Sequence, residues 1–335
     1  MRRVFSSLLT LVSTGALLFF GAAMWWLHEP LTLQAQPGST VLDLEIEPGT
    51  SAKGVAEATV ASGAKTQASW LYLWFRASGD SRLIRAGSYE ITAGTTPRKL
   101  LRMLVRGEEA LKSVTLPEGW NYIQVMAALQ TAENLRPDTR GMPPDAIMAK
   151  IGKPGVHPEG RFFPDTYTYA KGSSDLAILQ RAARAMDKRL EAAWALRLPD
   201  TPLKSPEDAL ILASIIEKET GKSSDRATIG GVFTNRLRIP MLLQTDPTVI
   251  YGMGAEFDGN LRRSDLRRDT PYNTYTRAGL PPTPIAMPGR ASLMAAVQPA
   301  KTNALYFVSR GDGSSQFSAT LDEHNRAVNK YIRGR

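Results

Sequence analysis

Ser205-Pro206-Glu207-Asp208-Ala209-Leu210-Ile211-Leu212-Ala213-Ser214-Ile215-Ile216-Glu217-Lys218-Glu219-Thr220-Gly221 reads as one complete helix with a carboxylate where hydrocarbon belongs. Ser205 suits the N-cap and Pro206 the first helical position, while Glu207 and Asp208 favour the positive end of the helix dipole. Leu212, Ile215 and Ile216 precede Glu219 by seven, four and three residues, so all four share one stripe. Ser214 and Lys218 fall on the opposite side, and Gly221 reads as the stop that leaves Glu219 in the last turn. Desolvation and the negative end of the dipole both disfavour an anion there. The acid is therefore expected to keep its proton above the free value of about 4.3, as a general acid requires. The competing reading is a solvated Glu217-Lys218-Glu219 turn. Glu217 lies about 200° around the helix from Glu219, so the two are not expected to share a cleft.

Further along, Ile229, Val232, Phe233 and Leu237 predict an amphipathic helix around Asn235-Arg236-Leu237. It is followed by Leu243-Gln244-Thr245-Asp246-Pro247-Thr248 and Tyr251, where Asp246 before Pro247 also suits an N-cap. Tyr272-Asn273-Thr274-Tyr275 and Gly279-Leu280-Pro281-Pro282-Thr283-Pro284 come next. Tyrosines beside amides and hydroxyls suit a sugar, whose ring faces stack on aromatics while its hydroxyls hydrogen-bond. Upstream, Pro158-Glu159-Gly160-Arg161-Phe162-Phe163-Pro164-Asp165-Thr166-Tyr167 reads as a rigid cleft wall or a packed loop. The chain closes with a hairpin, Ala304–Ser309 and Ser315–Ser318 around Gly311-Asp312-Gly313, then a helix opened by the capping box Thr320-Leu321-Asp322-Glu323. His324 in its first turn reads as structural.

Before this α+β region stands a smaller one. Val41–Ile46 alternates like a strand, Pro48-Gly49-Thr50 turns, and Val55–Ala61 suits a helix. The unit recurs in Gly87–Ile91, Ala93-Gly94-Thr95-Thr96 and Pro97–Val105, and again in Val114-Thr115-Leu116, Pro117-Glu118-Gly119 and Tyr122–Leu129. This strand–turn–helix pattern resembles LysM-like modules, which bind the N-acetyl sugars of cell-wall glycans; the bland reading is a spacer domain.

At the start, Arg2 and Arg3 precede an uncharged run from Val4 to Leu27. At about 1.5 Å per residue this is long enough to cross a hydrocarbon core of roughly 30 Å. The arginines favour a cytoplasmic N-terminus and Trp25-Trp26 the opposite interface; Gly21-Ala22-Ala23 leaves a cleavable signal as the competitor. The expected organisation is an α+β protein: a cytoplasmic tip and single transmembrane helix over 1–27, a linker over 28–40, a LysM-like α+β module over 41–113 and a larger α+β catalytic domain over 114–335.

With 335 residues and 43% hydrophobic content the chain can support two modest domains. It has no cysteine and only His28, His157 and His324, widely separated, which argues against disulfides, thiolate metal sites and a zinc enzyme. A formal charge of +9 invites nucleic acid, yet the densest patch, Arg262-Arg263-Ser264-Asp265-Leu266-Arg267-Arg268-Asp269, alternates with acids. Behind an export anchor, an anionic envelope polymer or phospholipid surface fits better than DNA.

Ala213–Thr220, Leu243–Gly252, Phe163–Tyr167, Tyr272–Tyr275 and Gly279–Pro282, in this order, closely resemble the endolytic murein transglycosylase (YceG-like) family. Two departures are Asp225, where glutamate is usual before Arg226, and Pro240, where glycine is usual before Met241. The resemblance implies that Glu219 is catalytic, with no metal or other cofactor. It implies a lytic transglycosylase that cleaves the bond between N-acetylmuramic acid and N-acetylglucosamine within nascent peptidoglycan strands. Glu219 would act as acid, then as base on the muramic C6 hydroxyl, leaving a 1,6-anhydro end and terminating elongation at the inner membrane beside peptidoglycan synthases. Gln244, Thr245, Asp246, Tyr272, Asn273 and Tyr275 are the candidates for holding the glycan. A muramidase-type hydrolase with Asp246 activating water, and a non-catalytic wall-binding division scaffold, are the alternatives.

Overall fold

The computed structural model describes residues 2–34, 41–108, 111–219 and 222–334, with the side chains of residues 2–12 and 16 outside that description. The chain divides into two compact units, Met1–Lys112 and Ser113–Arg335.

In the first unit, α1 (Arg2–His28) is followed by β1 (Thr32–Leu33), β2 (Val41–Ile46), α2 (Ala52–Ala61), β3 (Ala64–Lys65), α3 (Ala68–Ala77), β4 (Gly87–Thr92) and α4 (Pro97–Arg106). β2 and β4 pair antiparallel from Val41↔Thr92 to Ile46↔Gly87, with α2, β3 and α3 between them in the chain. β2 buries every second residue, Leu42, Leu44 and Ile46, as its alternation requires. These side chains meet Val55, Leu71, Phe75, Leu100 and Leu104 in one core. The Ser51 and Thr96 hydroxyls cap α2 and α4 by accepting from Gly54 N and Lys99 N. The expected linker over 28–40 holds a strand: Thr32 and Leu33 pair with Lys65 and Ala64. Its later part, residues 35–40, lies outside the described residues.

Among the described residues no helix is long and apolar enough to cross a membrane. The expected membrane crossing is therefore unsupported; residues 4–12 of it lie where no side chain is described.

The boundary falls within β5 (Leu111–Thr115), and the second unit continues through α5 (Tyr122–Thr131), α6 (Pro144–Lys150), β6 (Thr166–Ala170), α7 (Asp175–Ala195), α8 (Pro206–Glu219), α9 (Ser223–Arg238), α10 (Asp246–Met253), α11 (Arg263–Arg267), α12 (Arg290–Val297), β7 (Tyr306–Ser309), β8 (Ser315–Ser318) and α13 (Leu321–Tyr331). Its strands form two-stranded pairs, β5 with β6 and β7 with β8, the latter antiparallel with Phe307 opposite Phe317. The helices carry the architecture.

α8 is the centre. Its start is as the sequence predicts: Ser205 Oγ accepts from Asp208 N at 3.2 Å. Its sides are not, because every residue from Ala209 to Ile216 is buried. Ser214 is no solvent-facing residue; its hydroxyl donates to Ile211 O and accepts from Ile285 N. A helix buried all round belongs to the middle of a domain, and α7, α9 and α12 pack around it. α9 is likewise buried on more than one face, from Ile229 to Thr234. It comes close to α12 because Gly230 has no side chain: a Cβ there would stand 2.4 Å from Ala295 O. The expected stop at Gly221 lies outside the described residues.

Candidate active site

Glu219 ends α8 where that helix leaves the core. Burial is the main cause that pushes its carboxyl up to about 7, and the Asp246 carboxylate adds to the rise. The Thr245 hydroxyl, which donates to Glu219 Oε1, and the Arg236 guanidinium pull the other way without cancelling it. The result is an acid that holds or releases a proton near neutrality.

Thr245 is fixed from behind. It is 2% exposed, and its amide donates to Thr274 Oγ1 at 3.1 Å. Thr274 Oγ1 lies 2.9 Å from Thr248 Oγ1, which donates to Thr245 O at 2.7 Å. Gln244 reaches this loop with φ 50°, a left-handed conformation that costs a residue bearing a Cβ, and its amide donates to Thr274 O. Asp246 is not the N-cap; Thr245 holds that position and Asp246 begins α10. Its Oδ1 accepts from the Tyr275 hydroxyl at 2.5 Å.

Gln244, Asp246 and Tyr275 line one cavity of about 370 Å³ with Glu219. Asn273 and Tyr272 do not line it. Asn273 is fully buried as a loop brace: its Nδ2 donates to Leu266 O and Arg268 O, and its Oδ1 accepts from Tyr275 N. The Tyr272 ring packs edge-on against Tyr251 at 4.9 Å and its hydroxyl lies 2.8 Å from Thr283 Oγ1.

The same cavity contains residues that the sequence reading did not select. Arg236 is 7% exposed; its guanidinium donates to Leu305 O and Leu243 O at 2.7 Å and to Leu242 O at 3.1 Å. Burial lowers its pKa. Tyr306 and Phe307 of β7 and His324 of α13 complete the wall, with the His324 ring stacked on Tyr306 at 5.2 Å. His324, read as structural, therefore borders the acid's cavity; burial and Arg236 both lower its pKa. Asp225 ties this wall to α9, since its Oδ2 accepts from Ser315 N at 2.6 Å.

Glu219 also borders a second cavity, of about 470 Å³, with Glu118, Gly119, Trp120, Gln124, Glu217, Lys218 and Arg226. The two glutamates thus share a cavity after all, because this depression spreads around the end of α8. Glu217 is 6% exposed in its side chain, accepts from Gly289 N at 2.9 Å and faces Arg226 at 3.6 Å. Its neighbour Glu118 is raised by burial and by Glu217.

A further buried acid, Glu159, lies in the Pro158–Tyr167 loop. Both of its oxygens accept from Tyr122 N, at the start of α5, and Oε2 accepts from the Tyr251 hydroxyl, each at 3.1 Å. Burial raises it to about 7. It braces α5 against α10 and borders neither cavity. Among the described residues no group of three or more histidines, aspartates and glutamates is placed to hold a metal.

The YceG-like family matches residues 44–330. This chain belongs to the YceG-like family. The resemblance read from the motifs is borne out. A relative from Bacillus subtilis, named endolytic murein transglycosylase, is 31% identical over 333 residues, covering 94% of this chain and 91% of its own. One from Streptococcus pneumoniae with the same name is 27% identical over 289 residues, covering 74% of this chain and 51% of its own length. A crystal structure of a yceG-like protein from Listeria monocytogenes aligns with TM-score 0.50 and 27% identity, covering 86% of this chain and 99% of that one.

Proposed function

We propose that this chain is a peptidoglycan lytic transglycosylase with Glu219 as its acid and base. The observation that carries the reading is a carboxyl held near pH 7 by burial at the mouth of a cavity lined by Tyr275, Gln244 and Asp246. The names of its relatives supply the substrate class.

Glu219 donates its proton to the oxygen joining N-acetylmuramic acid to N-acetylglucosamine, and positive charge develops at C1. The substrate's acetamido oxygen stabilises that centre, and Asp246 contributes a negative field from the same cavity. The Glu219 carboxylate then takes the proton of the muramic C6 hydroxyl as that oxygen attacks C1. The products are a free 4-hydroxyl and a 1,6-anhydro end, and Glu219 is protonated again. One group serves both steps because its pKa lies near the working pH. Gln244 and Tyr275 position the glycan, Thr245 orients the Glu219 carboxyl, and Asn273 and Tyr272 act behind them by shaping the loop.

The reading extends to cleavage within nascent strands, from a chain tethered to the bacterial inner membrane beside peptidoglycan synthases. Its support is Arg2-Arg3 and the uncharged run to Leu27, with Leu17, Leu18, Phe19 and Phe20 exposed on α1. The antiparallel pair of β2 and β4, with α2, β3 and α3 between them in the chain, supports a LysM-like glycan-binding module.

Asp246 beside Glu219 gives a muramidase-type hydrolase a specific footing, because a carboxylate there can activate water. Mass spectrometry of digested peptidoglycan separates the two. Anhydromuramic ends that vanish in Glu219→Gln are expected. Reducing ends would establish the hydrolase, and no products from the wild type would favour a binding scaffold.

A further inference from the structure

Among the described residues, Glu219 is the one common to the two cavities at the end of α8. An acid that cuts a glycosidic bond must stand between two sugars, so each neighbouring sugar needs its own site. On one side lie Asp246, Tyr275, Gln244 and Arg236; on the other lie Trp120, Gln124 and Lys218.

We propose, resting on the transglycosylase reading, that Trp120 is the stacking platform for the leaving N-acetylglucosamine side of the strand, with the reacting muramic sugar in the Asp246–Tyr275 cavity. Developing positive charge at C1 places the reacting sugar beside Asp246. Of the carboxyls bordering the Trp120 cavity, Glu217 is held by Arg226 and Gly289 N, while Glu118, packed against Gly289, is raised by burial and by Glu217, which favours its neutral form. It thus suits an uncharged amino sugar. Trp120 is half-buried, packs against the core that holds Val125 and Phe162, and borders the cavity. That is the disposition of an aromatic that stacks on a sugar ring.

Its distance from the acid is also fixed. Gly119 N donates to Met287 O at 2.9 Å, Met287 N donates to Trp120 O at 2.7 Å, and Lys218 Nζ donates to Gly119 O at 3.3 Å. The loop bearing Trp120 is thereby tied to the helix turn bearing Glu219. With a site on either side of the acid, a strand can enter sideways rather than by its end, which is what cutting inside a chain demands.

The test uses the full chain carrying Glu219→Gln, titrated with a soluble N-acetylglucosamine–N-acetylmuramic acid tetrasaccharide by calorimetry. Trp120→Leu, which keeps apolar packing but loses the ring, should weaken binding about tenfold, while Trp120→Phe should lose much less. With Glu219 restored, Trp120→Leu should lower kcat/KM and leave the pH dependence unmoved. Unchanged affinity, or a pH profile displaced because the indole only desolvates Glu219, would overturn the proposal. Tryptophan emission gives a readout independent of the leucine variant's folding: glycan should change the emission of the Glu219→Gln protein, and Trp120→Phe should abolish that change. Anhydro products from the wild type with an indifferent Trp120→Leu would sink the platform alone. No anhydro products would sink the transglycosylase reading, and the leaving-side assignment with it.

Discussion

Replacing Glu219 by glutamine is expected to stabilise the protein at neutral pH while abolishing its chemistry. The folded structure raises this carboxyl from 4.5 to about 7, chiefly by burial. Its folded pKa being the higher, the folded state favours the neutral acid. The associated stability is complete below about pH 4.5 and is lost as pH rises through about 7. At about 1.4 kcal/mol per pKa unit the loss is about 2 kcal/mol at pH 6, about 3 kcal/mol at pH 7, and approaches about 3.5 kcal/mol above that. Glutamine copies the neutral form, and its carbonyl can accept the same Thr245 hydroxyl. The gain should therefore be about 1–3 kcal/mol at pH 7.5, or roughly 2–10 °C in Tm, shrinking toward zero near pH 4. Guanidinium unfolding of both proteins at both pH values measures it, and the Glu159 contribution cancels in the difference. Equal stabilities at pH 7.5, or a gain that persists undiminished in acid, would refute the reasoning.

Asp246→Asn removes a charge that raises Glu219, so the alkaline limb of the pH–rate profile should move to lower pH; an unmoved limb would show that the two carboxyls are not coupled. Asn273→Ala strands the carbonyls of Leu266 and Arg268 and the amide of Tyr275, and should cost about 2–3 kcal/mol in unfolding free energy together with activity. A fully stable Asn273→Ala protein with weakened glycan binding would instead return Asn273 to direct sugar contact.

The acid was legible because burial leaves a trace in spacing. Leu212, Ile215 and Ile216 precede Glu219 by seven, four and three residues, and Ile229, Val232 and Phe233 precede Arg236 in the same way. The rule that selected the glutamate applied equally to the arginine, whose side chain ends at the same cavity. Asn273 and Tyr272 carry the composition of a sugar site, but composition does not say which side of a loop faces solvent. Glu159 left no local trace, since Tyr122 and Tyr251, which hold it, are distant in sequence. In the first unit, β2, β4 and α4 follow from alternation, turns and caps, whereas α3 has no matching signal in the strand–turn–helix repeats. Ser214 lies on the face opposite Glu219 as its angle demands; the angle does not reveal that a second layer covers that face.

The wall of the Glu219 cavity is made by the last part of the chain: Tyr306, Phe307, Leu321 and His324, joined to α9 by Asp225 and Ser315. Synthesis proceeds from the N-terminus, so the ribosome adds His324 roughly 5–20 s after Glu219 at about 5–20 residues per second. Until then the acid's cavity lacks the wall that Tyr306, Phe307, Leu321 and His324 supply. A chain stopped before Tyr306 would carry the acid without that wall and is expected to cut glycan poorly, so the capacity to cut should arrive late in synthesis.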